Sequence, residues 1–420
     1  MNEDRSGYQT MKPVSLLRNL WMVALLGTAG GLYSVSIESK EVVSQKMAAP
    51  LKNIEHLMKQ GKIAQANAAL KEVQTIPNPS AYEKNIIEHL RIALAIKQNN
   101  LDAAFTGYDE LINSTRTSAS EKIQIRMAQA SLAYRARQYV KAIEYIKQYF
   151  LVGGTNTHMK TLLIQSYFLN NNYKEAMTAQ QKQIDEEIKN GQVPAESQWQ
   201  IMANCQEKLG DQDGLRHSYT QLAMHYPKAE YWGHIIAALS SSRDLSPSVK
   251  LEILNLRFNM NLMRTSEEYM EMAEVAMQAN MPHFALKILA AGYDKGVLGT
   301  DHNSTRVMRL RKFIRDKINE NKSALPAKLE AFEKAPNGDD MLMLGYDQVM
   351  DGKGQSGLLL MKEALKKTLK DSNEALLHYA MAQLQVNQKN QSIQNLKSIQ
   401  AQGVIKEIAD LWLIKLQTKS

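Results

Sequence analysis

Residues 351–365 read DGKGQSGLLLMKEAL, and Gly352, Gly354 and Gly357 fall in the spacing G-x-G-x-x-G. After a β-strand, such glycines bring a tight turn and a helix N-terminus against a dinucleotide pyrophosphate. Glu374, 22 residues beyond Gly352, stands where an acid would meet the ribose. The chemistry needs a parallel βαβ unit, and the flanking residues do not supply one. MLMLGYDQVM (341–350) shows no strand alternation. Its Leu344-Gly345 pair suits a helix that crosses another closely. Asp371-Ser372-Asn373 ahead of Glu374 is a helix start. The glycines are therefore expected in a turn and in the first residues of a second helix. Each helical glycine costs about 1 kcal/mol relative to alanine, so Gly357→Ala is expected to stabilise the chain.

The other chemistry-bearing residues are dispersed. No H-E-x-x-H, G-x-S-x-G or Walker A pattern occurs among nine scattered histidines. His217 and His225 lie eight apart and offer two metal ligands without a third. Met260, Met263, Met270, Met272, Met277 and Met281 offer soft ligands for Cu(I), but methionine more often fills irregular gaps between helices. Cys205 is the single cysteine, which excludes an internal disulfide and a Cys-based zinc cluster. Acidic residues are plentiful, yet nothing in their spacing fixes two carboxylates at a defined separation. The sequence thus assigns no catalytic, metal or cofactor residue.

One stretch concentrates charge. STRVMRLRKFIRDKINENK (304–322) places Arg306, Arg309, Arg311, Lys312 and Arg315 around Val307, Met308, Leu310, Phe313 and Ile314. It is a basic amphipathic helix, suited either to an anionic partner or surface, or to a solvated outer face. The whole chain carries a formal charge of +8 over 420 residues, too mild to imply nucleic acid. Near the N-terminus Arg5, Lys12 and Arg18 precede the apolar run Leu20–Leu26. Residues 1–36 are expected to be a secretory signal ending at Ser34-Val35-Ser36, or an uncleaved anchor, with Met11 as an alternative start. The expected location is periplasmic.

The elements that must carry these residues are helical and repeated. Few prolines and glycines punctuate the chain, 10 and 21 respectively, which favours helices over many short strands. RQYVKAIEYIKQYF (137–150) aligns without gaps on NNYKEAMTAQQKQI (171–184), an offset of 34 residues that places Tyr139 over Tyr173 and Ala142 over Ala176. The alanines suit a close crossing of two helices. The same grammar places Ala66, Ala104, Leu215, Ala285 and Ser392 at equivalent positions, while 228–262 and 293–335 are helical but poorly matched. Each hairpin leaves an apolar face for its neighbour, so the units must stack. Asn113–Ser120 and Lys189–Ser197 are expected as polar excursions within one array.

LLIQSYFLNNNYKEA, MANCQEKLGD and EYMEMAEVAMQANMPHFALKILAAGYDKGVLGT are similar to tetratricopeptide repeats, most of all those of secreted bacterial proteins, some of which accompany TonB–ExbB–ExbD energy-transducing systems. The resemblance implies an all-α, right-handed superhelix over residues 37–402, with 403–420 as a capping helix. It implies no enzyme, but a scaffold binding a protein or peptide in a groove lined by the first helix of each pair. The matching groove positions are Gln124, Met127, Ser131, Tyr134 and Arg135; then His158, Thr161, Gln165 and Phe168; then Gln200, Asn204, Glu207 and Lys208. Alternative functions on the same groove are a membrane-tethered or cytoplasmic co-chaperone and, less in keeping with the residues, a cell-wall enzyme.

Overall fold

A computed structural model describes residues 43–299 and 302–417. The 1–36 segment expected as an export signal lies outside them. Among the described residues the chain forms twenty helices and no strand, apart from one parallel bridge between Asn337 and Thr368. They fall into two compact units that divide between Thr117 and Ser118. The Asn113–Ser120 connection therefore marks a boundary, contrary to the expectation of one uninterrupted array.

The first unit contains two hairpins, α1 (Gln45–Lys59) with α2 (Ile63–Gln74) and α3 (Ala81–Lys97) with α4 (Leu101–Asn113). Met47, Leu51, Ile54 and Met58 recur at helical spacing along α1 and meet Ala66, Leu70 and Val73 of α2 and Ile87, Leu90 and Leu94 of α3. Ser80 caps α3 through a reciprocal box with Glu83. The Glu83 carboxylate also accepts from the amide and hydroxyl of Ser44, the N-cap residue of α1. The Ser44 hydroxyl, with the Ser80 and Ser44 amides, holds Glu83 down at about 2.

The second unit begins with hairpins α5 (Ala119–Arg135)/α6 (Tyr139–Leu151), α7 (Thr157–Leu169)/α8 (Tyr173–Lys189) and α9 (Glu196–Leu209)/α10 (Gln212–His225). It continues with α11 (Ala229–Ser240)/α12 (Pro247–Asn259) and α13 (Ser266–Gln278)/α14 (Pro282–Asp294). A long α15 (Ser304–Lys334) follows. The chain closes with α16 (Asp339–Met350)/α17 (Gly354–Ala364), α18 (Ser372–Gln385)/α19 (Lys389–Ser398) and α20 (Val404–Gln417). Helix α14 packs directly on α16, so α15, about 46 Å long at 1.5 Å per residue, is inserted between consecutive hairpins of the stack. Helix α20 covers α19, as a cap would, but it also packs on α10, α12 and α18. This end of the stack therefore folds back on its own middle.

Eight hairpins across the two units turn through one residue of positive φ: Gly61, Asn99, Arg137, Asn171, Gly210, Asn280, Gly352 and Asn387. Glycine and asparagine are the residues that enter this region most readily. The Lys353 amide then bonds the Gln348 carbonyl at 3.0 Å, as Asn172 bonds Tyr167 and Gln388 bonds Gln383, each at 2.9 Å. Gly352 is thus the ordinary turn residue of its hairpin, and the strand a dinucleotide site requires is helix α16.

The second helices cross the first at small residues. Ala66, Ala104, Ala142, Ala176, Ala285 and Ser392 are all completely buried. Leu215 is half-buried instead, and Ser218, one turn later, is the buried small residue, bonding Gln206 Oε1 of α9 at 2.7 Å. The α9/α10 crossing is therefore displaced by a turn from the pattern. Gly357 occupies the alanine position of α17. A Cβ there would lie 2.5 Å from the Gly345 carbonyl oxygen and 2.9 Å from the Val349 amide nitrogen. A Cβ on Gly345 would lie 2.8 Å from the Gly357 carbonyl oxygen. The two glycines let the backbones of α16 and α17 approach more closely than alanine permits, which reverses the expectation drawn from helix propensity. Overpacking costs about 1–3 kcal/mol against a propensity gain of about 1 kcal/mol. Gly357→Ala should therefore lower the melting temperature followed by circular dichroism; a rise would show that the crossing can open at little cost.

Candidate docking face and a buried charged cluster

The groove residues inferred from the sequence lie in stripes on α5, α7 and α9. Gln124, Met127, Ser131 and Tyr134 recur at helical spacing along α5, as do His158, Thr161, Gln165 and Phe168 along α7 and Gln200, Asn204, Glu207 and Lys208 along α9. The opposite faces are buried: Ile125, Ala130 and Ala133, then Met159, Leu162 and Ser166, then Trp199, Met202 and Cys205. Burial pushes the Cys205 thiol up to about 11, which keeps it from reacting as a thiolate at neutral pH.

Three contacts link two pairs of these outward faces, α5 with α7 and α9 with α11. The Tyr134 hydroxyl bonds Gln165 Oε1 at 3.0 Å, and Asn156 Nδ2 lies 3.9 Å from Met127 Sδ. Gln200 Nε2 donates to the Tyr231 hydroxyl at 2.9 Å, extending the surface onto α11. Two aromatic groups on it are partly structural. Tyr134 packs edge-on against Tyr139 at 5.9 Å and Phe168 against Tyr173 at 5.6 Å, one hairpin apart in the same arrangement. Arg135 is exposed and bonds the Ser131 carbonyl through Nε. Gln124, His158, Asn204, Glu207 and Lys208 are exposed. Two neighbouring groups escaped the sequence reading. Tyr231 bonds Glu196, and His234 stacks on Tyr219 at 4.3 Å with planes 7° apart. Both depend on α11, which the repeat pattern matched poorly.

The basic residues of 304–322 have divided roles. Arg306 pairs with Glu274 at 2.9 Å, Arg311 lies over the Tyr293 ring at 5.4 Å, and Lys312 pairs with Asp316 at 2.9 Å. Arg309 and Arg315 are exposed. The methionines of 260–281 are packed into the apolar core: Met270, Met272 and Met281 are at most 1% exposed, and Met263 is 5% exposed. His217 lies edge-on to Trp199. Among the described residues no group of three His, Cys, Asp or Glu side chains could hold a metal ion, and no helix is long and apolar enough to cross a membrane.

The densest cluster of reactive groups is one the sequence does not reveal. His378 of α18 lies between two carboxylates, with Nδ1 3.0 Å from Glu252 of α12 and Nε2 3.4 Å from Glu374. Asn255 Nδ2 donates to Glu252 at 3.0 Å, and the hydroxyls of Ser246 and Ser248 donate to Glu374. His378 and Glu252 are 2% and 0% exposed, so no substrate reaches them. Ser248 hydrogen-bonds the acid rather than the imidazole, which leaves no base to activate it. The arrangement is a lock between segments 126 residues apart. The one local signal is the i,i+4 spacing of Glu374 and His378.

Burial disfavours a charged imidazolium, but the hydrogen bonds and charges of Glu252 and Glu374 outweigh it and push His378 up to about 9. Burial likewise works against the Glu374 carboxylate, which hydrogen bonds from His378 and Ser248 nevertheless draw down to about 2. A histidine raised in the folded state stabilises fully below its ordinary 6.5, and that contribution is lost as pH rises through about 9. The melting temperature of the second unit should therefore fall between pH 6.5 and 9.5. His378→Gln should lose about 3–5 kcal/mol, as expected for removing one partner of a buried pair, and should flatten that pH dependence. An unchanged slope in His378→Gln would assign the titration to another group.

No family model and no curated relative matches the sequence. Solved structures do. A tetratricopeptide repeat protein from Parabacteroides merdae matches at 13% identity, over 65% of this chain and 100% of its own, with a TM-score of 0.33. The structure of Naa15/Naa10 bound to HypK-THB matches at 17%, over 85% and 64% of the two chains, with a TM-score of 0.32. Yeast Tom70 matches at 10%, over 89% and 96%, with a TM-score of 0.24. At these TM-scores the superpositions carry no argument about function. What identifies the fold is internal: hairpins of two helices, turns 34–39 residues apart from Gly61 to Gly210 and again from Gly352 to Asn387, and buried small residues at the crossings. Among the described residues the chain is an all-α protein built from stacked two-helix repeats.

Proposed function

We propose that this protein is a non-catalytic scaffold that docks an extended or helical protein segment along the outward stripes of α5, α7 and α9. The observation that carries this reading is the recurrence of an outward polar and aromatic stripe on successive first helices, with Tyr134 of α5 meeting Gln165 of α7 and Gln200 of α9 meeting Tyr231 of α11. Amides, a histidine, aromatic rings and both signs of charge line it, so backbone amides and mixed side chains of a partner find hydrogen bonds there. No concentration of cations marks it for a terminal carboxylate. Tyr134 and Phe168 also brace their own hairpins, so the cleaner probes are the exposed residues. A partner cross-linked to the native protein should be lost with Gln124→Ala/His158→Ala/Asn204→Ala, while the melting temperature stays within about 2 °C of wild type. Retention of every partner by this variant would remove the face from consideration.

The location we propose is the periplasmic side of a bacterial envelope, in the service of an energy-transducing complex of the TonB type. What supports it is the basic-then-apolar pattern of residues 5–26 and the likeness of the repeats to secreted ones. Cell fractionation tests the location directly. Protein retaining Met1 in the cytoplasmic fraction would favour the co-chaperone reading of the same face.

A further inference from the structure

We infer that the outward face of α15 is a docking site for an anionic phospholipid surface. Between Ser304 and Arg315 the helix carries five basic residues and no acid. Its inner face is anchored: Val307 and Ile314 are completely buried, and Leu310 and Ile318 pack on the main apolar core. This fixes what points outward. Met308 and Phe313 are 57% and 58% exposed, among the largest apolar exposures in the second unit, and Arg309 and Arg315 are exposed beside them.

The surrounding charges sharpen the contrast. Glu274 is taken by Arg306, Asp316 by Lys312 and Glu320 by Lys317. Arg311 is drawn onto Tyr293. Among the described residues no carboxylate pairs with Arg309 or Arg315, so their charge is available to a partner. The partner's shape follows from the helix. A single exposed helix face is a ridge without walls, so it cannot enclose a peptide, but it can lie along a plane. Cations interleaved with a phenylalanine and a methionine match the boundary between headgroups and acyl chains, where guanidinium groups meet phosphate and apolar side chains enter the lipid. The residues involved are separate from the α5–α9 face, so either surface can fail without the other.

The test is co-sedimentation of the full chain with vesicles of phosphatidylcholine alone or with 30 mol% phosphatidylglycerol, roughly the anionic content that gives a strong surface potential. Residues 20–26 are themselves apolar, so the quantity read is the ratio of anionic to neutral binding. Each basic residue near an anionic surface is worth roughly fivefold in partitioning. Arg309→Gln/Arg315→Gln should therefore reduce the ratio roughly 25-fold with an unchanged circular dichroism spectrum. Met308→Ser/Phe313→Ser should weaken binding to both vesicle types, and raising the salt should release the wild type. Equal binding of wild type to both vesicles, or an unchanged ratio in the arginine variant, would overturn the inference. Binding to poly-glutamate but not to vesicles would also overturn it and assign the ridge to an acidic protein.

Discussion

A carboxylate with no exposed surface must find compensation or lose its charge, and Glu252 finds it in His378. Much of the second unit depends on that contact. Glu252 belongs to α12 and His378 to α18, so the pair can form only if the hairpins between them bring α18 back against α12. Neighbouring contacts follow the same return. Asp347 of α16 accepts the backbone amides of His283 and Phe284 at the start of α14, at 2.9 and 3.1 Å, while its other oxygen bonds His283 Nδ1 at 2.7 Å. Pro282 opens α14 and Met281 supplies no side-chain cap, so this helix receives its cap from 64 residues away. Arg216 of α10 reaches Glu407 of α20 at 3.4 Å.

These contacts distinguish the unit from a simple repeat stack. In a linear array each hairpin touches its neighbours, and stability is approximately a sum of local terms. That description suits α5 to α8, which pack on helices one or two places away in the chain. It fails from α10 onward, where α20 packs on α10, α12 and α18. The closure also explains how α15 is tolerated. A 31-residue helix placed between two hairpins of a stack would separate them, but α14 meets α16 directly and α15 is carried outside the junction. The bridge between Asn337 and Thr368 ties the segment after α15 to the one after α17.

The repeat was legible because its physics is local. A turn needs a residue at positive φ and a crossing needs a small one, and Asn171 with Ala176 or Asn387 with Ser392 announces both within a few positions. Gly357 shows where local reasoning stops. In sequence it is a glycine inside a helix, which propensity treats as a weakness. Its purpose is visible only once Gly345 is placed opposite, because the closeness of two backbones is a property of the pair. Leu215 and Ser218 make the same point in register: the pattern located the helix and missed the turn at which it crosses α9. Glu252 and His378 were illegible for a third reason. Nothing links residues 126 apart in a sequence except the fold itself, and the turn-and-crossing grammar is blind to a stack that closes on itself.

The candidate docking face was more legible than the lock because it repeats with the helices. Gln124, His158 and Gln200 follow from the same periodicity that buries Ile125, Met159 and Trp199, since a helix with one face in the core must offer the other to something else. What periodicity cannot give is the joining of stripes across helices. Tyr134 meets Gln165 because two first helices lie side by side, and Tyr231 joins Gln200 because α11 continues the surface where the repeat grammar fades. The contrast has a mechanical consequence. The proposed face begins on α5 and α7, which pack on helices one or two places away in the chain, whereas α12 and α18 are tied by buried polar contacts spanning 126 residues. Elements held by few long-range contacts open locally at lower free energy than elements held by many. A partner that must be accommodated along α5 and α7 can therefore shift them without breaking the lock. The part of the second unit available to adapt is the part that carries the proposed docking face.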